Sequence, residues 1–142
     1  SLKDKDIRFC MGCLACQVNH KCVIKDDMEE LTKKVSNAEV IIFSTPIYYY
    51  EMSGMMKTFL DRCNPLYGNE DNKFKEIYLI ATCADENKEA LDRAINGLGG
   101  WIECFDGCTF KKAIYGVGIN DANGALKNIE AMQEAYTLGT NL

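Results

Sequence analysis

Histidine occurs once in the 142 residues, at position 20. Zinc sites built on histidine and His-dependent catalytic triads are therefore poorly supplied. Basic residues are outnumbered, 16 Lys and Arg against 21 Asp and Glu, for a net charge of -5. Neutralising phosphates takes a basic face, so nucleic acid is excluded as the main partner. No apolar run approaches the roughly 20 residues that span a bilayer, and no membrane partner is expected. The opening residues, Ser1 to Phe9, lack a signal-peptide pattern, which places the expectation in the cytoplasm. Internal repeats and low-complexity stretches are absent. What is present is ordinary for a globular protein: 47% apolar and 26% charged residues, which excludes general disorder. The length suits a single domain over residues 1–142.

Cysteine is the exception. There are eight, too many for a plain cytosolic domain and too few for a disulfide-stapled secreted scaffold. Four fall within thirteen residues, at Cys10, Cys13, Cys16 and Cys22. The C-x2-C-x2-C-x5-C spacing lets one compact loop aim four thiolates at a point, and Gly12 allows a tight turn between them. Thiolates ligate both iron–sulfur clusters and structural zinc. A 4Fe–4S cluster, a zinc ion with His20 in place of one thiol, and a loop of free or disulfide-bonded cysteines all fit this pattern.

The rest of the chain alternates helix and strand. Asp26 or Asp27 caps a helix reaching about residue 37, with Glu29 and Glu30 in its first turn. Ala38 to Ser44 reads as a strand buried on both faces, ended by Thr45 and Pro46. Tyr48 to Glu51 reads as a loop. Ser53 caps a helix from Gly54 to about Cys63, stopped by Asn64 and Pro65; Lys57, Asp61 and Arg62 are expected on its solvated or ion-paired face. Glu76 to Thr82 is a second strand, Asn87 to Leu98 a helix ended by Gly99 and Gly100, and Phe110 to Gly116 a third strand. Gly116-Val-Gly118 reads as a turn. Leu126 to Leu138 is a last helix. Such alternation predicts an α/β fold with a parallel sheet covered on both faces. Ligands of these sheets bind beyond the carboxyl ends of the strands, here Thr45 to Ser53 and Thr82 to Asp85. Tyrosines at a strand end can cover a flat heteroaromatic ligand.

Four segments carry a resemblance: the Cys10–Cys22 run, Cys22 to Met28, Ala38 to Tyr48, and Ser53 to Arg62. Together they resemble the flavodoxin-like NAD(P)H-dependent FMN reductases, in particular the iron–sulfur flavoprotein branch. The likeness is strongest over residues 7–65, and 130–142 looks like the family's last helix. The resemblance implies a flavodoxin-like three-layer sandwich, bound FMN, and electron transfer between flavin and a cluster or nicotinamide. It puts Thr45, Pro46, Ile47, Tyr48, Tyr49 and Ser53 beside the flavin ring, with Thr82, Cys83 and Ala84 on the next loop. It makes Cys10, Cys13, Cys16 and Cys22 the ligands of a 4Fe–4S cluster. NAD(P)H or a small redox protein is the implied electron donor. No side chain is required as a proton-transfer catalyst, because the chemistry belongs to the cofactor.

Family members open with a strand, a phosphate-wrapping loop and a helix that have no counterpart in these residues. The expectation is thus a truncated, three-stranded sheet and weakened or absent FMN binding, since helix N-termini and loop N–H groups hold the phosphate. The strand at Val40 to Phe43 would become an apolar edge, predicting a homo-oligomer over that edge. A metal-binding module without flavin and a small thiol redox protein are the alternative functions.

Overall fold

The computed structural model describes all residues, 1–142. Its sheet has four strands: β1 (Val40–Tyr48), β2 (Glu51–Met52), β3 (Glu76–Thr82) and β4 (Thr109–Gly116). Their spatial order is β2-β1-β3-β4. The three long strands run parallel, as expected, and β2 is an antiparallel addition to the end of β1. The fold is α/β and flavodoxin-like. The helices are α1 (Cys16–Asn19), α2 (Met28–Asn37), α3 (Gly54–Arg62), α4 (Asp92–Ile102), α5 (Gly124–Lys127) and α6 (Ile129–Thr140). None is long and apolar enough to cross a membrane.

One face of the sheet carries the core. Phe43, Ile77, Leu79, Ala81 and Ala113 pack against Met28 and Val35 of α2, Met56, Phe59 and Leu60 of α3, and Leu98 and Ile102 of α4. The period-two alternation of strands places these residues together. The opposite face holds Ile114, buried beside α6, and α6 is tied to it by the Lys112–Glu134 ion pair. Helix α6 buries no residue fully. On the same face, Ile42 of β1 is 42% exposed.

This corrects the reading of the first strand as buried on both faces. β1 is buried on alternate residues, with Phe43 and Thr45 in and Ile42, Ser44 and Pro46 out. The strand also continues past Pro46. Pro46 pairs with Thr82, and Ile47 and Tyr48 then pair with Met52 and Glu51. Most of β1 is an edge, where a missing N–H is tolerated.

Two helix ends also differ. Helix α4 runs through Gly99 and Gly100 to Ile102. Trp101 stacks on Phe74 at 6.0 Å between centroids and meets Phe43 edge-on at 5.6 Å. Burial of that cluster outweighs the ~1 kcal/mol that each helical glycine costs. The terminal helix is split in two, because Asn128 accepts a hydrogen bond from the Ala131 N–H and starts α6 afresh, which then runs past Gly139 to Thr140. Gly118 has φ 68° and lies in the expected turn. Gly116 has no room for a side chain: a Cβ would sit 2.9 Å from Thr82 Cγ2 and 3.1 Å from the Ala81 carbonyl.

Candidate functional site

The four clustered cysteines come together. Cys10, Cys13, Cys16 and Cys22 all line one pocket, with Met11, Leu14, Val23, Ile24 and Pro65 as its apolar wall. Three left-handed residues coil the loop: Gly12 (φ 65°), Leu14 (φ 56°) and His20 (φ 54°). Three of the sulfurs accept N–H groups. The donors are the Gly12 amide to Cys10 at 3.5 Å, Asn64 Nδ2 to Cys16 at 3.6 Å, and Arg62 Nη2 to Cys22 at 3.5 Å. Burial pushes the Cys16 thiol up from its ordinary pKa, and the neighbouring Cys22, Cys10 and Cys13 raise it further. As they stand, no three His, Cys, Asp or Glu side chains converge closely enough to hold a single metal ion. His20 lies outside the pocket. Its Nδ1–H donates to the Pro65 carbonyl at 3.1 Å, which ties the cysteine loop to the turn after α3.

Behind the pocket is a buried ion pair between Arg62, expected on a solvated or ion-paired helix face, and Asp26, expected as a helix cap. The Arg62 side chain is 1% exposed and that of Asp26 0%. Arg62 Nη1 donates to Asp26 Oδ2 at 2.6 Å and to the Arg8 carbonyl at 2.6 Å, and Nη2 donates to Asp26 Oδ1 at 2.9 Å. Only Lys57 and Asp61 form the expected exposed pair. Asp26 also accepts the Arg8 and Met28 N–H groups. Burial pushes its carboxyl up, but the Arg62 guanidinium and these amides outweigh that and hold it at about 2. Asp27 accepts the Asp6 N–H, and the Asp6 carbonyl accepts the Asp27 N–H. Residues before Cys10 are thus pinned to the start of α2 without forming a strand. No local sequence signal marks this pair, whose members lie 36 residues apart.

The second group of residues sits at the carboxyl end of the sheet. The Thr45↔Ala81 and Pro46↔Thr82 register brings the two expected loops side by side. Residues 48–51 form a β-hairpin rather than a loop. Tyr49 (φ 51°) and Tyr50 (φ 65°) are its two central residues, both left-handed. This is the backbone of a type I′ turn, which Asn-Gly ordinarily occupies. Tyr48 is exposed and Tyr49 is 97% exposed, while the Arg93 guanidinium lies 5.8 Å from the Tyr50 ring centre.

Thr45 and Ser53 differ in role from the tyrosines. Thr45 is buried, its hydroxyl donates to the Pro46 carbonyl at 2.9 Å, and it accepts the Ser53 N–H at 3.0 Å. Ser53 caps α3 by accepting the Met56 N–H, as expected. These two residues fix the entry to α3. On the second loop, the Cys83 N–H donates to the Gly116 carbonyl and its own carbonyl accepts the Ile119 N–H. Its thiol donates to the Asp85 carbonyl at 3.3 Å. Cys83 is thereby committed to the β3–β4 junction, and Ala84 beside it is exposed.

Helix α3 joins the two groups. Its first residues follow Ser53 and its last is Arg62, nine residues or about 13 Å of helix.

Comparison with known proteins gives the family. The family model described as NADPH-dependent FMN reductase matches residues 1–106, which include both groups. An iron–sulfur flavoprotein of Archaeoglobus fulgidus is 40% identical over 68 residues, 48% of this chain and 30% of that protein. A Bacillus subtilis protein named as an NAD(P)H-dependent FMN-containing oxidoreductase is 29% identical over 127 residues, 81% of this chain and 66% of that protein. The chain spans about a third of the length of the iron–sulfur flavoproteins it matches. Among solved structures, the Trp repressor binding protein of B. subtilis superposes with a TM-score of 0.66 at 27% identity, over 77% of this chain and 73% of that one. General stress protein 14 of Treponema denticola, solved in complex with FMN, has a TM-score of 0.54 at 16% identity, over 89% of this chain and 78% of that one. The chain belongs to the NADPH-dependent FMN reductase family.

Proposed function

We propose that this chain supplies the flavin-ring site and an iron–sulfur cradle of a flavin-dependent electron-transfer oxidoreductase. The observation that carries this reading is the single pocket lined by four cysteines, three of whose sulfurs accept N–H groups. The donor set suits a 4Fe–4S cluster: four thiols, an apolar wall, and hydrogen bonds directed at sulfur. Cys10 and Cys13 are the exposed members of the set and Cys16 is buried.

The hairpin suits a flavin ring. Tyr48 and Tyr49 offer exposed aromatic faces beside the end of β3. Pro46 and Ile47 lie between them and the neighbouring strand. Thr45 and Ser53 hold the hairpin's return to α3, and Thr82, Cys83 and Ala84 border the same end of the sheet. When bound there, FMN would supply hydride and single-electron chemistry. These residues address the ring and not the phosphate. The electron donor of the reading is NAD(P)H or a small redox protein. The open edge of β1, with Ile42 exposed, supports self-association over that edge.

The test is a visible spectrum of the full chain after anaerobic reconstitution with ferrous iron and sulfide, then with added FMN. The reading expects a broad brown shoulder that survives desalting, joined by structured flavin bands. A colourless chain after both additions overturns it.

A further inference from the structure

We propose that Arg62 and Asn64 are positioning residues that set the reduction potential of the iron–sulfur centre through Cys22 and Cys16. The inference rests on the reading of the four cysteines as a cluster cradle.

Arg62 occupies a position that packing alone does not explain. A buried guanidinium is retained at a high desolvation cost unless its donors are well placed. Here Nη1 is fully engaged by the Arg8 carbonyl and Asp26, and Asp26 also takes one hydrogen of Nη2. Nε has no partner. The planar fork is thus fixed by three acceptors, and that orientation directs the remaining Nη2 hydrogen at Cys22 Sγ, 3.5 Å away. Nη2 thus stands between Asp26 Oδ1, at 2.9 Å, and Cys22 Sγ, at 3.5 Å.

Asn64 acts from the next turn. It opens the short 3-10 turn Asn64–Leu66 that ends α3. Its Nδ2 donates to Cys16 Sγ at 3.6 Å and its side chain makes no other hydrogen bond. The same turn holds the cysteine loop through the His20–Pro65 hydrogen bond. Both donors therefore come from one rigid segment clamped to the loop it serves.

Reduction places an extra electron on the centre and its sulfur ligands. N–H donors and a nearby positive charge stabilise that electron-rich state and raise the potential. Removing either donor lowers the potential.

The experiment reconstitutes the full chain and its Arg62→Lys and Asn64→Leu variants with iron and sulfide. Each is titrated with dithionite as the one-electron donor in the presence of redox dyes. At fixed poise, Asn64→Leu is expected to shift the oxidised-to-reduced ratio about threefold toward oxidised (~28 mV lower), and Arg62→Lys about tenfold (~59 mV lower). Asn64→Leu preserves the test if Arg62→Lys does not fold. A purely structural role would lower the urea midpoint and leave the potential unchanged. If the unaltered chain binds no iron and sulfide, the cradle reading fails and this inference with it. If it binds them and Asn64→Leu titrates at or above its potential, this inference is overturned while the cradle stands.

Discussion

Arg62 and Asp26 meet in a buried, two-pronged ion pair, with Nη1–Oδ2 at 2.6 Å and Nη2–Oδ1 at 2.9 Å. The pair joins the end of α3 to the start of α2 and reaches the Arg8 carbonyl through Nη1. The cysteine loop is the chain between Arg8 and Asp26, so both its ends are fixed by one guanidinium and one carboxylate. Breaking such a pair from one side strands a buried charge and costs ~3–5 kcal/mol.

The pair makes stability depend on acid. Asp26 titrates at about 2 in the folded chain against 3.8 as its ordinary value. A depressed carboxyl contributes stability above its unfolded pKa, and that contribution is lost as pH falls through the folded one. The interval gives about 2 kcal/mol. Urea midpoints of the unaltered chain and of Asp26→Asn should therefore converge by about that amount between pH 4 and pH 2. A constant gap across this range would contradict the role given to Asp26.

The hairpin stores strain. An L-residue in the left-handed region is disfavoured by ~1–2 kcal/mol, and Asn tolerates it best among non-glycine residues. Tyr49 is almost wholly exposed, so it gains no burial in return. Tyr49→Asn is expected to raise stability by ~0.5–1 kcal/mol, read as a Tm increase of a few degrees, and to weaken flavin retention. Stabilisation with unchanged flavin retention would remove Tyr49 from the ring site.

The proposed contacts reach only the ring end of the cofactor. Riboflavin should then bind this chain about as tightly as FMN, within roughly threefold, by fluorescence quenching. An FMN preference above tenfold, ~1.4 kcal/mol, would mean that the chain also grips the phosphate.

Thiol reactivity should separate the cysteines by environment. Burial pushes Cys63 up to about 12, and the nearby Arg62 offsets only part of that. Iodoacetamide at pH 8 on the iron-free chain, followed by peptide mass spectrometry, should modify the exposed Cys10, Cys13 and Cys104 and spare Cys63 until the chain unfolds. Cys63 labelling at the rate of Cys104 would contradict its burial.

The parallel strands were legible because short apolar runs such as Glu76 to Thr82 alternate with helical segments, although β3 turns out to be buried on alternate residues. The extent of β1 was not legible. Pro46 reads locally as a stop, yet it is tolerated where β1 is an edge and the ladder passes to β2. Helix α4 overran its glycines because Trp101 and Ile102 are held by residues distant in sequence. That Cys10, Cys13, Cys16 and Cys22 share one pocket follows the spacing of the run. The contacts of Arg62 and Asn64 were not legible, since their partners Asp26 and Cys16 lie 36 and 48 residues away and nothing in α3 itself tells a buried arginine from a solvated one. Cys83 and Thr45 lie at the carboxyl end of the sheet, with their hydrogen-bonding groups engaged within the fold.

The proposed iron–sulfur cluster in the four-cysteine pocket is open to direct measurement. Its most direct test is the iron and acid-labile sulfide content of the anaerobically reconstituted chain, compared with Cys10→Ser and Cys22→Ser variants. The account predicts about four irons and four sulfides per chain, as a 4Fe–4S cluster requires, with both largely lost in either variant. Zinc retained in place of iron, or iron content that the serine variants keep, would contradict it.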